Sequence, residues 1–177
     1  MSGLPDLRSI LDPIPWAVVG AMAARYYMPE RATLDLDIAI HAGDGPEVRR
    51  RLREAGFQYE GELVIPGSSW ISPEGVPLDV LELHDPWAEE ALEAAQGNRD
   101  EAGFPILPMS YLILMKFEAG RLQSLADIAR MLGQATPEQF QVVRDLFQRY
   151  RPADLGDLES LWLLGRMERM GPGEGTP

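Results

Sequence analysis

A chain of 177 residues with 45% hydrophobic content is long enough to bury a core, in one domain or in one domain with a small helical appendage. The formal net charge of −12 argues against a protein whose main task is gripping extended nucleic acid, because that affinity rests on many Lys and Arg contacts to phosphates. The absence of cysteine excludes a disulfide scaffold, a thiolate metal site and cysteine catalysis. It agrees with a reducing cytoplasm. No apolar run has membrane-spanning length and Met1-Ser-Gly-Leu-Pro-Asp-Leu-Arg8 lacks a signal-peptide pattern, so the expectation is a soluble cytoplasmic protein with no membrane partner.

In chain order, Ile14-Pro-Trp-Ala-Val-Val19 predicts a short buried strand ending at Gly20, and Ala21 to Tyr27 a helix that stops before Pro29. A strand, a glycine turn and a helix N-terminus together expose backbone N–H groups able to receive an anion. The run Arg31-Ala-Thr33-Leu-Asp35-Leu-Asp37-Ile-Ala-Ile40 predicts the next strand. A turn at His41 to Gly45 leads into a helix with Pro46 at its first position, closing at Gly56. Three short strands follow at Gly61 to Ile65, Ser69 to Ser72 and Val76 to Glu82, and their Pro/Gly turns point to an antiparallel extension of the sheet. Asp85 as N-cap and Pro86 open a helix over Trp87 to Ala95, and Arg99 to Leu107 is extended. Helices then cover Met109 to Ala119, Ser124 to Leu132 with Ser124 as cap, Pro137 to Tyr150 with Thr136 as N-cap, and Asp157 to Met170. The result is an α/β (α+β) chain: an α/β domain over 1–105, a helical region over 106–170 and a disordered tail over 171–177.

The sharpest chemical feature is the pair Asp35 and Asp37. Strands project alternate residues to opposite faces, so the two carboxylates share a face with Cα atoms about 6.6 Å apart, and Leu34, Leu36, Ile38 and Ile40 form the other. Like charges on neighbouring positions repel and resist desolvation, so a fold that keeps them supplies a cation or lets one acid take up a proton. Mg²⁺ is held by one or two carboxylates with substrate phosphates and water, which makes phosphoryl or nucleotidyl chemistry the leading reading. The plainer alternative is two acids on the solvent face of an edge strand. Elsewhere, Arg49, Arg50, Arg51 and Arg53 form the densest basic cluster, which on a helix spreads around the circumference as a solvated face. His41 and His84 are turn histidines, and the four tryptophans are core or interface anchors. Of sixteen Lys and Arg residues, Lys116 is the only lysine.

The strand–Gly20-Ala21–helix turn, the segment Arg31-x-Thr33-x-Asp35-x-Asp37 and the later Asp79 in Pro77-Leu-Asp-Val-Leu81 together resemble the nucleotidyltransferase superfamily related to DNA polymerase β, in the branch of abortive-infection toxin-type nucleotidyltransferases. Met115-Lys116-Phe-Glu-Ala-Gly-Arg121 followed by Leu125-Ala-Asp127 extends the resemblance, which covers roughly 14–133. It implies a mixed sheet flanked by helices and a helical C-terminal region. It further implies Mg²⁺ (or Mn²⁺) on Asp35, Asp37 and Asp79, with Asp79 completing a second metal site or acting as base. Nucleotide binding, of ATP or another nucleoside triphosphate, falls to Gly20, Ala21, Arg31, Thr33 and Lys116; Arg31 either neutralises phosphate or braces the aspartates. Asp127 has the plainer role of a helix acid. The implied activity is transfer of a nucleotidyl group to a protein, a small molecule or an RNA end, in a toxin–antitoxin type system. A protein partner or a second copy of the chain is the implied macromolecular contact. The departure is Ala21 where the family has Ser or Gly, which favours the alternative of a non-catalytic nucleotide-binding or partner-binding protein on the same fold.

Overall fold

The computed structural model describes residues 5–28 and 35–170. Arg31, Thr33 and the expected tail lie outside the described residues. Packing divides the described chain into two compact units, one running to Pro108 apart from the end of its second helix, the other beginning at Met109.

The first unit is built on a five-stranded mixed sheet. Its strands are β1 (Trp16–Val18), β2 (Leu36–His41), β3 (Gln58–Glu62), β4 (Gly67–Ile71) and β5 (Pro77–Leu83), in spatial order β1-β2-β5-β4-β3. β2 and β5 run parallel and every other neighbouring pair is antiparallel. Four helices accompany them: α1 (Leu7–Leu11), α2 (Gly20–Tyr27), α3 (Gly45–Glu54) and α4 (Ala88–Gln96). The strand period decides what is buried. Leu36, Ile38 and Ile40 on β2 stand in register with Leu78, Val80 and Glu82 on β5, and Trp70 on β4 is opposite Leu78. The apolar members of that set are at most 1% exposed, each contributing about 1.5–3 kcal/mol of burial. The alternate positions form the other face.

The arginine cluster of α3 is spent inside this unit. Arg49 binds Glu62 and reaches Glu82 at 2.9 Å, Arg50 pairs with Glu47 and Glu54, and Arg51 bonds Glu47 and the carbonyls of Ile10, Leu11 and Asp12. The guanidinium of Arg53 lies 5.8 Å from the Tyr59 ring and 5.6 Å from that of Trp70.

The second unit is helical: α5 (Met109–Glu118), α6 (Leu122–Gln134), α7 (Pro137–Tyr150) and α8 (Leu155–Met170). α7 starts where the sequence predicts. Thr136 Oγ1 accepts from the Gln139 amide at 3.2 Å and Gln139 Oε1 accepts from the Thr136 amide at 2.9 Å, a reciprocal capping box with Pro137 at the first position. α6 and α8 touch backbone to backbone through small residues: a Cβ on Gly165 would stand 1.8 Å from the Ala129 carbonyl oxygen. Among the described residues, no helix is long and apolar enough to cross a membrane.

Three local expectations shift. β3 is Gln58–Glu62 rather than Gly61 to Ile65, because Leu63 to Pro66 form the hairpin turn, closed by Leu63 N–H donating to Gly67 O at 3.0 Å. Val64 is consequently fully exposed. Asp85 is not the N-cap of α4; Trp87 is, with Asp85 O accepting from the Ala88 amide at 2.9 Å one turn earlier. Ser124 is not the cap of α6 either. That helix begins at Leu122 with Arg121 at the cap position, which carries Ser124 into the buried face.

Candidate functional site

Two features of the first unit converge at one end of β2. Val18 opposes Ile38 in the β1–β2 ladder, and the Val19 amide donates to Asp37 O at 2.9 Å, so the chain turns at Gly20 directly beside Asp37. Gly20 has φ +63°, and a Cβ there would stand 1.9 Å from Asp37 Oδ2. Only glycine combines that left-handed backbone with so close an approach. The Asp37 side chain thus lies against the N-terminal turn of α2, where Gly20 and Ala21 are the first two helical residues and their amides have no partner within the helix.

The second feature is register. In the parallel β2–β5 pair, Asp37 stands directly beside Asp79. Neighbouring strands are about 4.8 Å apart, and laterally paired residues share a face, so the two carboxylates are immediate neighbours. Both are half-buried. Asp79 makes no hydrogen bond or ion pair among the described residues.

Asp35 precedes β2 and is exposed. Among the described residues, no three His, Cys, Asp or Glu side chains gather closely enough to hold a metal ion. What the fold preassembles is therefore the pair Asp37 and Asp79. Such a pair still suits Mg²⁺, which takes one or two protein carboxylates and fills its remaining positions with phosphate oxygens and water.

The row does not stop at the acids. Ser69 on β4 is paired with Asp79, and Gly61 on β3 with Ser69, so Asp37, Asp79, Ser69 and Gly61 run across four strands on one face.

The fold has counterparts among solved structures. The solution structure of the antibiotic-resistance factor ANT(2'')-Ia matches 87% of this chain and 93% of its own length, at 20% identity and a TM-score of 0.53. The chain has the nucleotidyltransferase fold. A crystal structure of ANT(2'')-Ia with adenylyl-2''-tobramycin covers 91% of this chain and 95% of its own, at 13% identity and a TM-score of 0.47. A candidate nucleotidyltransferase from Thermotoga maritima covers 73% and 91%, at 16% identity and a TM-score of 0.44. No family profile and no curated protein matches the sequence.

On this nucleotidyltransferase fold the remaining expected site residue belongs to the helical unit. Lys116 on α5 is buried, and its ammonium donates to Asp127 Oδ2 on α6 at 3.0 Å; Gln123 Nε2 donates to Asp127 Oδ1 at 3.2 Å. Asp127 is 1% exposed, so its charge is held inside the bundle by a cation and an amide. An ammonium has three N–H donors, and this pairing uses one. His41, the last residue of β2, accepts from the Gly43 amide at 3.1 Å through Nδ1, the turn histidine expected from sequence.

Proposed function

We propose that this chain is a divalent-metal-dependent nucleotidyltransferase, moving a nucleotidyl group from a nucleoside triphosphate to an acceptor. The observation that carries the reading is Asp37 set in register with Asp79 and pressed against the Gly20 turn. Asp37 and Asp79 would hold Mg²⁺ or Mn²⁺, with Asp35 joining from the end of the strand once a nucleotide is seated. What the ion supplies there is neutralisation of triphosphate charge and a lowered pKa of the acceptor hydroxyl. The chain's own contribution is positional. The amides of Gly20 and Ala21 at the α2 N-terminus would receive phosphate oxygens, a role that Ala21 meets as well as Ser or Gly would because backbone, not side chain, donates. Arg31 and Thr33 would flank the phosphates. In the family branch that the sequence resembles, the setting is a toxin–antitoxin type system, and the acceptor is a protein, a small molecule or an RNA end.

A second reading, a nucleotide-binding protein without turnover, is favoured by one observation: the three acids are not preassembled among the described residues. One experiment separates the two. Each α-³²P-labelled nucleoside triphosphate is incubated with the protein, Mg²⁺ or Mn²⁺ and a cell extract. Label transferred by the wild type and lost in Asp37→Asn and Asp79→Asn supports catalysis. Nucleotide binding by calorimetry without any transfer supports the second reading, and neither binding nor transfer overturns both.

A further inference from the structure

A cavity of about 570 Å³ opens where α1, the start of β1 and the end of α4 meet, and Asp6, Arg8, Asp12, Trp16, Gln96 and Arg99 are among the residues that line it. Trp16 begins β1 and Gly20 follows its end, so the cavity lies at the opposite end of that strand from the Gly20 turn, about 13 Å along it. We propose that this cavity is a second binding site, for a small zwitterion whose oxyanion end is held by Arg8 and Arg99 and whose ammonium end faces Asp12.

Two guanidinium groups meet there at one glycine. Arg99 donates to Gln96 O through Nε and to Gly103 O through Nη1, each at 2.9 Å. Arg8 Nη1 stands 2.9 Å from where a Cβ of Gly103 would lie. Gly103 has φ +84° and sits in a turn closed by its own amide donating to Asp100 O at 3.0 Å and by the Phe104 amide donating to Asp100 Oδ1 at 2.8 Å. Gln96 is fixed in turn, donating to Trp16 O at 2.9 Å and Leu92 O at 2.8 Å. Neither arginine makes an ion pair among the described residues, and Arg8 makes no hydrogen bond there either. Carbonyls hold a guanidinium in place without cancelling its charge, which leaves the pair suited to an oxyanion.

The acids of the cavity decide what else the ligand carries. Asp6 is committed to α1: the Ser9 hydroxyl and amide donate to it at 2.6 Å and 3.2 Å and, with a smaller contribution from Arg8, hold its carboxyl below the usual carboxylate range. Asp12 is anchored through its carbonyl, which accepts from Arg51 Nη1 at 2.6 Å, while its carboxylate makes no hydrogen bond or ion pair among the described residues. A bare anion meets the arginines and is opposed by both acids. A zwitterion answers both signs, and the cavity is within the range of about 300–1,000 Å³ typical of small-molecule sites. Carboxylate and phosphate present the same oxygens to an arginine fork, so the head group is an oxyanion of either kind.

The test uses matched probes in the absence of divalent metal: O-phosphoethanolamine against inorganic phosphate, and β-alanine against propionate. Each is titrated into ¹⁵N-labelled protein while the Nε–H resonances of Arg8 and Arg99 are followed. One zwitterion shifts both resonances and binds about tenfold more tightly than its partner without the ammonium, and which one it is identifies the head group. Arg8→Ala, at an exposed side chain, weakens that binding about tenfold with an unchanged melting temperature, and Asp12→Asn removes the advantage of the ammonium. No saturable shift with either zwitterion, or wild-type affinity in Arg8→Ala, overturns the site. Equal binding with and without the ammonium overturns the role of Asp12 and the zwitterion with it. Binding lost in Asp79→Asn assigns the ligand to the other end of β1 and overturns the second site.

Discussion

Gly20→Ala should separate stability from function more cleanly than any other single change. The added Cβ would sit 1.9 Å from Asp37 Oδ2, 2.8 Å from its Cγ and 3.0 Å from its Cβ, whereas ordinary contact begins at 3.4 Å. The carboxylate must therefore retreat by about 1.5 Å. The backbone cannot retreat with it, because the Val19 amide is bonded to Asp37 O and Asp37 is paired in the ladder to β5. Thermodynamically the change is modest: about 1–2 kcal/mol for an L-residue at φ +63°, plus rotation of one half-exposed side chain. For a chain of this size that lowers the melting temperature by roughly 2–8 °C. Functionally it is severe, since a displacement of about 1 Å at a reacting constellation costs about 100-fold. Calorimetric titration of Mn²⁺ with α,β-methylene-ATP, alongside thermal denaturation, measures both. The double variant Gly20→Ala/Asp37→Asn should bind no worse than Asp37→Asn alone, because the glycine acts through that carboxylate. Wild-type affinity and turnover in Gly20→Ala would refute the proposed geometry.

Asp79→Asn should abolish transfer while leaving the melting temperature within about 2 °C, since the carboxylate has no protein partner among the described residues whose loss could unfold the sheet; a clear drop in stability would point to a structural acid instead. Lys116→Met leaves the buried Asp127 carboxylate with Gln123 but no cation from α5, and urea denaturation should register a loss of about 3 kcal/mol, partly recovered in Lys116→Met/Asp127→Leu; a loss under about 1 kcal/mol would show the pair to be dispensable. Acid stability has a defined sign. Arg49 and then Tyr59 hold Glu62 at about 2, and Arg50 and Arg51 hold Glu47 at about 2, against an ordinary 4.5. Carboxyls that are stronger acids when folded favour the folded state fully above about 4.5, and that contribution fades as pH falls through about 2. Denaturant midpoints across that window should fall less steeply in Glu47→Gln/Glu62→Gln than in the wild type, and parallel curves would contradict the assignment.

How much of this was legible in the chain differs between local and long-range features. Thr136-Pro-Glu-Gln139 encodes its helix start in four residues, because both capping bonds close within them, and the alternation Leu36, Ile38, Ile40 carries the buried face of β2 in its period. β3 was misplaced for the opposite reason. Leu63-Val64-Ile65 is as apolar as a strand, but the pairing is set at a distance, by Tyr59 edge-on to Trp70 at 5.1 Å with Arg53 over both rings, and that contact draws the strand three residues earlier. The candidate site divides in the same way. Asp35 and Asp37 were visible as a spacing, yet the pair that the fold brings side by side is Asp37 with Asp79, joined through a crossover that includes α3 and the β3–β4 hairpin. No spacing rule predicts a partner across such a connection.

That division bears on why the site should be functional at all. Gly20 at φ +63° brings the start of α2 against the Asp37 carboxylate, and register places Asp79 beside it. Elsewhere in the same unit Arg51 caps the carbonyls ending α1, Ser68 takes the Trp70 indole, and Arg49 covers Glu82. The two carboxylates stand on one row of one face, beside the N-terminus of α2. On the proposed reading, a metal-bound phosphate would set a cation between the two acids and an anion on the α2 amides, and a nucleoside triphosphate carries both halves of it.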